Sequence, residues 1–276
     1  MFAKKYLIPT LLLTAVITAC ATSPTGRRQL MLVSPETAVS ASKEAYVKTI
    51  APLADEGKID SDSELVKRVR EITGRIVYQA IALYPNTADW GWEIKVIDDA
   101  KTINAWCMAG GKMALYTGLV DAVNPTDDEL AQVMGHEVSH ALANHTAEKM
   151  SVALATQIGM IGVAVAVQDK ESSALVLTGA SLAAATAITL PNSRAAEIES
   201  DELGMRLAAL AGYNPAAAAT LWEKMAKSGS GDTPEFLSTH PSPENRVATL
   251  KALAPKFAHE YQPRAKHPVF NFSKAK

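Results

Sequence analysis

The chain predicts an α+β fold, mostly helical with one small β-sheet, and three observations predict it. Apolar residues recur at helical spacing behind capping signals: Leu65, Val69, Ile72 and Ile76 behind Ser63, and Leu130, Val133, Met134, Ala141 and Leu142 behind Thr126. Trp92, Ile94 and Val96 alternate with Glu93 and Lys95, the period of a half-buried strand. Asn214-Pro215 and Ser242-Pro243 each set a capping residue before a proline at the first helical position. Together they describe a small sheet packed on helices.

In chain order, residues 1–19 read as a signal peptide. Lys4 and Lys5 precede an apolar stretch from Leu7 to Ala19 that is too short to span a bilayer comfortably. Ile17-Thr18-Ala19-Cys20 fits a lipoprotein cleavage box, with Cys20 as the lipid-bearing first residue of the mature chain. Ala21 in place of Asp then points to the outer membrane. Residues 20–34, with Pro24 and Gly26, read as a tether. Residues 35–255 read as one domain, and 256–276 as a C-terminal tail.

Within the domain, Pro35 to about Ala54 is a first helix and the segment behind Ser63 a second. Two strands near Thr102–Cys107 and Lys112–Tyr116 follow the Trp92 strand, joined at Gly110-Gly111. Residues 150–190 hold two apolar stretches, Ile158–Val167 and Ala174–Leu190, split by a polar run from Gln168 to Ser173. Neither reaches the ~20 residues of a transmembrane helix. A buried hairpin, a mobile lid and a membrane-facing patch all remain open for this segment.

Composition excludes some partners. Without Lys4 and Lys5 the chain carries 25 basic and 29 acidic side chains, a net charge of about −4 with histidine neutral. The balance is acidic and Arg27-Arg28 is only a short basic pair, so nucleic acid is not an expected partner. Once Cys20 is lipidated, Cys107 is the one remaining thiol, and it reads as a buried strand residue.

The chemistry lies in Met134-Gly135-His136-Glu137-Val138-Ser139-His140. Two histidines four apart lie about 40° apart round a helix, so both imidazoles leave one face and can grip one zinc. Glu137 stands beside them as a base for water. Thr126 and Glu129 form a capping box, and no proline interrupts from Thr126 to Met150, so the histidines are expected on one regular helix. On such a helix His145 lies about 140° from His140 and cannot share its metal, which makes it a surface or helix-end residue. A longer motif ending in His at 146 is excluded by Thr146.

A third ligand is offered by Glu197 in Ser193-Arg194-Ala195-Ala196-Glu197-Ile198-Glu199-Ser200-Asp201-Glu202-Leu203-Gly204. Asp201, four residues on, can accept the second ring N–H of a zinc histidine. The competing reading is a solvated acidic face, because Glu199 and Glu202 share the segment.

These motifs, with Asn104-Ala105-Trp106-Cys107-Met108-Ala109-Gly110-Gly111, Tyr116-Thr117-Gly118-Leu119 and Thr239-His240-Pro241-Ser242-Pro243-Glu244-Asn245-Arg246, resemble the zinc metallopeptidase family of HtpX and the CAAX prenyl proteases, peptidase family forty-eight. The similarity runs from about Pro24 to about Leu253 and is nearest to its periplasmic lipoprotein branch of LoiP- and BepA-type proteases. One departure is Ser200, where the family usually has Ala.

The resemblance implies a zincin-like fold and one Zn2+ per chain on His136, His140 and Glu197, with Glu137 as base. It implies a zinc metalloendopeptidase of the HExxH gluzincin type, acting on misfolded or stalled envelope proteins. The protein is expected in the periplasm, lipid-anchored in the inner leaflet of the outer membrane. The alternative is a chaperone or assembly factor for outer-membrane proteins, in contact with the outer-membrane assembly machinery, with latent protease activity. Two further roles stay open. His240 and Arg246 either stabilise an oxyanion or regulate the site, with His240 taking the open zinc position. Asn104 and Ala105 begin either a substrate-binding edge strand or a plain structural one.

Overall fold

The computed structural model describes residues 20–167, 173–185, 189–228, 236, 238, 240, 245–262 and 267–272. The predicted signal peptide, the polar run from residue 168 to 172 and the Ser242-Pro243 cap lie outside the described residues. The architecture among them is α+β, mostly helical with small sheets.

Helix α1 (Pro35–Asp55) starts where the Ser34 hydroxyl accepts the Thr37 N–H, with proline in its first turn. Helix α2 (Ser63–Leu83) is capped by Asp62, one residue before the expected cap, whose carboxylate accepts the N–H groups of Glu64 and Leu65. Its stripe of Val66, Val69, Ile72, Ile76 and Val77 is buried. The main sheet is built from β3 (Glu93–Ile97), β4 (Ala105–Met108) and β5 (Lys112–Tyr116) in the order β3-β5-β4. β5 is central, parallel to β3 and antiparallel to β4. The β4–β5 turn passes through Gly110 and Gly111, at φ of 81° and 80°. Among the described residues β4 is therefore an edge strand, and the Cys107 N–H on its outer side is accepted by the Glu137 carboxylate.

Tyr46 and Ile50 of α1 cover one face of this sheet, against Ile97 and Ala114. The main core lies on the other face. There α2 and the helices α3 (Thr117–Val123), α4 (Asp127–Leu142), α7 (Leu190–Leu210), α8 (Ala217–Ser228) and α9 (Arg246–Phe257) pack together. Leu130 and Met134 of α4 are fully buried, each contributing roughly 1.5–3 kcal/mol to holding that helix down. Asn214 forms the turn before α8, its side chain accepting the Ala216 N–H. The first turn of α9 follows Asn245.

Both ends of the domain differ from expectation. Residues 20–34, read as a tether, hold an antiparallel hairpin of β1 (Cys20–Thr22) and β2 (Arg28–Leu30). It is anchored by Gln29, which is buried and donates to Ala143 O at 2.7 Å. The segment read as a tail folds back on α2: Phe270 N–H donates to Gly74 O at 3.0 Å and Arg75 donates to His267 O at 2.6 Å. Phe270 and Phe272 pack on the main core, and two spaced aromatics beyond the last helix were the signal for this.

The segment between the ligand helices also differs. α5 (His145–Val167) and α6 (Ser173–Ala184) form an apolar pair whose large side chains face outward, Ile158, Ile161, Val165, Leu175 and Leu182 among them. The buried-hairpin expectation is corrected. α5 starts at His145 rather than near Met150, and by length and composition it is long and apolar enough to cross a membrane.

Candidate metal centre

The site forms where α4 and α7 cross. Gly135 and Gly204 meet at the crossing with no side chain between them: a Cβ at Gly204 would lie 2.6 Å from His136 N, and one at Gly135 2.6 Å from Gly204 O. That close approach puts His136 and His140 of α4 opposite Glu197 and Asp201 of α7. The predicted capping box is present in full, with Thr126 accepting from Glu129 N–H and the Glu129 carboxylate from Thr126 N–H. It fixes the first turn of α4 and so the phase of its histidines.

Four side chains converge: His136, His140, Glu197 and His240. His136 Nε2 is 3.0 Å from His140 Nε2 and 3.2 Å from Glu197 Oε2, and His140 Nε2 is 3.4 Å from Glu197 Oε1. His240 Nδ1 is 3.3 Å from His136 Nε2 and 3.2 Å from the Glu197 oxygens. Ligand atoms about 2.0–2.1 Å from a tetrahedral zinc stand roughly 3.3–3.4 Å apart, so these separations are close to the edges of a zinc tetrahedron. Imidazole and carboxylate donors suit zinc as well. Nearby, Glu137 Oε1 is buried with no hydrogen-bond partner, 3.4 Å from His240 Nε2. An unpartnered carboxylate oxygen beside such a cluster fits a base waiting for water.

The electrostatics follow from burial and pairing. Burial disfavours a charged His136, but Asp201, which accepts from its Nδ1 at 2.9 Å, and Glu197 outweigh it and raise its pKa to about 9. Burial, reinforced by His136, lowers the pKa of His140 well below the usual histidine value. Burial would raise the Glu197 carboxyl; hydrogen bonds from His136 and His240 prevail and hold it far below the carboxylate range. Burial pushes Glu137 up, against the opposing charges of His240 and His136. Burial also pushes the Cys107 thiol up, consistent with an inert strand residue.

In the chelated, metal-free protein the charged form of His136 stabilises the fold fully below about pH 6.5, and that contribution is lost as pH rises through about 9. Zinc must displace that proton. Apparent zinc affinity is therefore expected to rise about tenfold per pH unit between roughly pH 7 and 9 and to flatten above. Calorimetry in buffers of different ionisation enthalpy checks it; binding at pH 8 with no proton release would contradict the assignment.

Several sequence-based expectations are corrected. α4 ends at Leu142, and Asn144 adopts a left-handed conformation with φ 55°, so the helix breaks before His145. His145 is a helix-end residue, the first of α5, and stays outside the metal cluster as expected, but it is buried rather than on the surface, with its Nδ1 2.9 Å from His140 Nδ1. Glu199 is no solvated residue: it is 3% exposed and bonded to His145, Thr25 and Arg27. Arg246 directs both of its terminal nitrogens at carboxylates of the site. It donates to Asp201 at 2.6 Å and to Glu197 at 3.4 Å, and it stacks 3.7 Å from the Trp222 ring. Ser200 sits 3.3 Å from His145 Nδ1. Asn104 and Ala105 lie on the edge side of the sheet, next to a cleft of about 260 Å³ lined by Trp106, Cys107, Glu137, His140 and Val152.

Comparison with known proteins agrees with this geometry. Residues 64–254 match peptidase family M48. The chain is 39% identical to mitochondrial metalloendopeptidase OMA1 of Arabidopsis thaliana over 159 residues, 58% of this chain and 31% of that protein. It is 31% identical to metalloprotease LoiP of Escherichia coli strain K12 over 211 residues, 75% of this chain and 80% of that protein. It is 32% identical to the beta-barrel assembly-enhancing protease of the same strain over 159 residues, 55% of this chain and 32% of that protein. The chain spans about half or less of the length of most OMA1 relatives. With two histidines and a glutamate meeting across the α4–α7 crossing inside the matched region, the chain belongs to peptidase family M48.

Proposed function

We propose that the protein is a zinc-dependent metalloendopeptidase that hydrolyses peptide bonds in misfolded or stalled proteins of the bacterial cell envelope. The observation that carries this reading is the convergence of His136, His140 and Glu197 beside Glu137, whose Oε1 is buried with no hydrogen-bond partner. A zinc ion on those ligands supplies a Lewis acid that polarises a carbonyl and lowers the pKa of water towards about 7. Glu137 takes the proton of the attacking water and delivers it to the leaving amine. Its carboxylate accepts the Cys107 backbone N–H, which ties it to β4, and burial lifts its proton affinity towards that needed to give the proton back.

β4 is the surface on which a substrate strand would add. Tyr116 N–H donates to Asn104 O at 3.1 Å, so Ala105, next along, turns its N–H away from β5. The Asn104 side chain accepts that N–H at 2.9 Å and would yield it to a substrate carbonyl.

The lipobox at Ile17–Cys20 supports a lipid-anchored periplasmic protein, with Ala21 in place of Asp favouring the inner leaflet of the outer membrane. The OMA1 relatives are named mitochondrial. The test is metal analysis joined to cleavage of an unfolded polypeptide, with chelation abolishing turnover and zinc restoring it.

One observation favours a second state. His240 fills the corner of the cluster that water would need, with Phe236 stacked on it at 4.6 Å. A latent protease, acting meanwhile as an assembly factor for outer-membrane proteins, is the reading this supports; the name of the beta-barrel assembly-enhancing relative is in keeping with it. His240→Ala is expected to raise basal cleavage several-fold without loss of zinc. A full pH series in which the variant matches the wild type would remove both the latent and the oxyanion role.

A further inference from the structure

The break at Asn144 has a chemical consequence. Nε2 of His140 faces the metal cluster, so a ligated His140 carries its proton on Nδ1. That N–H points at His145 Nδ1, 2.9 Å away. His145 then keeps its own proton on Nε2 and donates it to Glu199 at 3.1 Å. Glu199 accepts from Arg27 Nε at 2.7 Å and from Thr25 at 2.6 Å, both on the turn of the β1–β2 hairpin. The Arg27 guanidinium also forks onto buried Glu148 of α5, its Nη1 donating at 2.7 Å. One direction of donation satisfies every link, and it fixes both the ring orientation and the tautomer of His140. On its Nδ1 side His136 reaches a carboxylate, Asp201, directly, whereas on its Nδ1 side His140 reaches Glu199 through a second imidazole.

We propose that His145, Glu199 and Arg27 are positioning residues for the metal ligand His140, so that the N-terminal hairpin sets how tightly the site holds its metal. The hairpin precedes the region matched to the family, which begins at residue 64. The segment from residue 20 to 30 is thereby a working part of the metal centre rather than a spacer. The inference rests on the metal reading of the cluster.

The experiment measures zinc affinity by chelator competition, with the absorption spectrum of the cobalt(II)-loaded protein and the melting temperature of the chelated protein alongside. It compares the wild-type mature chain, His145→Leu, His145→Gln and Arg27→Lys. His145→Leu is expected to bind zinc about 10–100-fold more weakly and to shift the cobalt spectrum. In His145→Gln the side-chain carbonyl accepts from His140 and the amide donates to Glu199, so affinity within a few-fold of wild type is expected. Arg27→Lys keeps the charge but cannot fork across two carboxylates, and an intermediate loss is expected.

Wild-type affinity and spectrum in His145→Leu would overturn the proposal, as would a loss in His145→Gln equal to that in His145→Leu. If His145→Leu does not fold, the comparison of Arg27→Lys with wild type decides, and an unchanged affinity there overturns it. A wild-type chain that binds no zinc would instead overturn the metal reading itself.

Discussion

Glu137→Gln is expected to retain zinc at one equivalent while losing peptide cleavage by about 10²–10⁴-fold, the usual contribution of a positioned acid–base group. The separation of the two effects follows from geometry. The ligand atoms belong to His136, His140 and Glu197, and Glu137 is not among the clustered groups. Gln fills the same volume and still accepts the Cys107 backbone N–H through its amide oxygen, so the fold and the β4 contact persist. What is lost is the ability to take and return a proton at the buried oxygen that has no partner. Metal content by elemental analysis and turnover of an unfolded polypeptide check the two halves. Near-normal turnover would remove Glu137 as the base, and a loss of zinc equal to the loss of activity would make it a structural residue. The same inactive variant can hold uncleaved substrate. Trapped envelope proteins that wild type cleaves would support the protease reading, and stable partners from an assembly machine the alternative.

What the sequence made legible was local or periodic. Thr126 and Glu129 cap α4 as their spacing requires, and the four-residue spacing of His136 and His140 needs no tertiary information to place both on one face. The same holds for Glu197 and Asp201. The alternation from Trp92 to Val96 identified β3, though its parallel pairing with β5 is set by the chain path and not by the pattern.

What was missed depends on one torsion and on distant partners. Asn144 is a residue that tolerates the left-handed conformation, and Asn there is a usual end-of-helix signal. With no proline or glycine nearby, periodicity alone runs the helix through Asn144 and places His145 about 140° from His140. Glu199 reads as solvated from sequence because two of its partners, Thr25 and Arg27, lie more than 170 residues away. The basic pair Arg27-Arg28 was legible as charge but not as a clamp on buried carboxylates. The exposed faces of α5 and α6 have the composition of a buried pair, and only packing distinguishes the two.

The largest structural effect is expected at the helix crossing. A Cβ placed on Gly204 would meet His136 N at 2.6 Å, Gly135 C at 2.7 Å and Gly135 O at 2.8 Å, all backbone atoms that no rotamer change can move. Helices usually pack with axes 8–10 Å apart, the spacing set by the side chains between them, and two facing glycines permit a closer approach. Gly204→Ala must therefore drive α7 away from α4. Overpacking typically costs about 1–3 kcal/mol, and an immobile backbone partner places this variant at or above the top of that range. For a domain of this size about 3 kcal/mol is a melting-temperature loss of roughly 6–12 °C. The same displacement carries Glu197 away from His136 and His140, so zinc affinity falls with stability. It also lengthens the 2.9 Å contact between Asp201 and His136 Nδ1 that braces that ring from behind. Gly162→Ala is the matched control. It lies on α5, where an added Cβ meets nothing within 4 Å, and it is expected to leave both measurements unchanged or to stabilise by helix propensity. Calorimetric melting of the chelated and zinc-loaded forms separates the contributions. A Gly204→Ala protein with wild-type melting and wild-type zinc affinity would mean that the ligand helices need not touch for the metal centre to form.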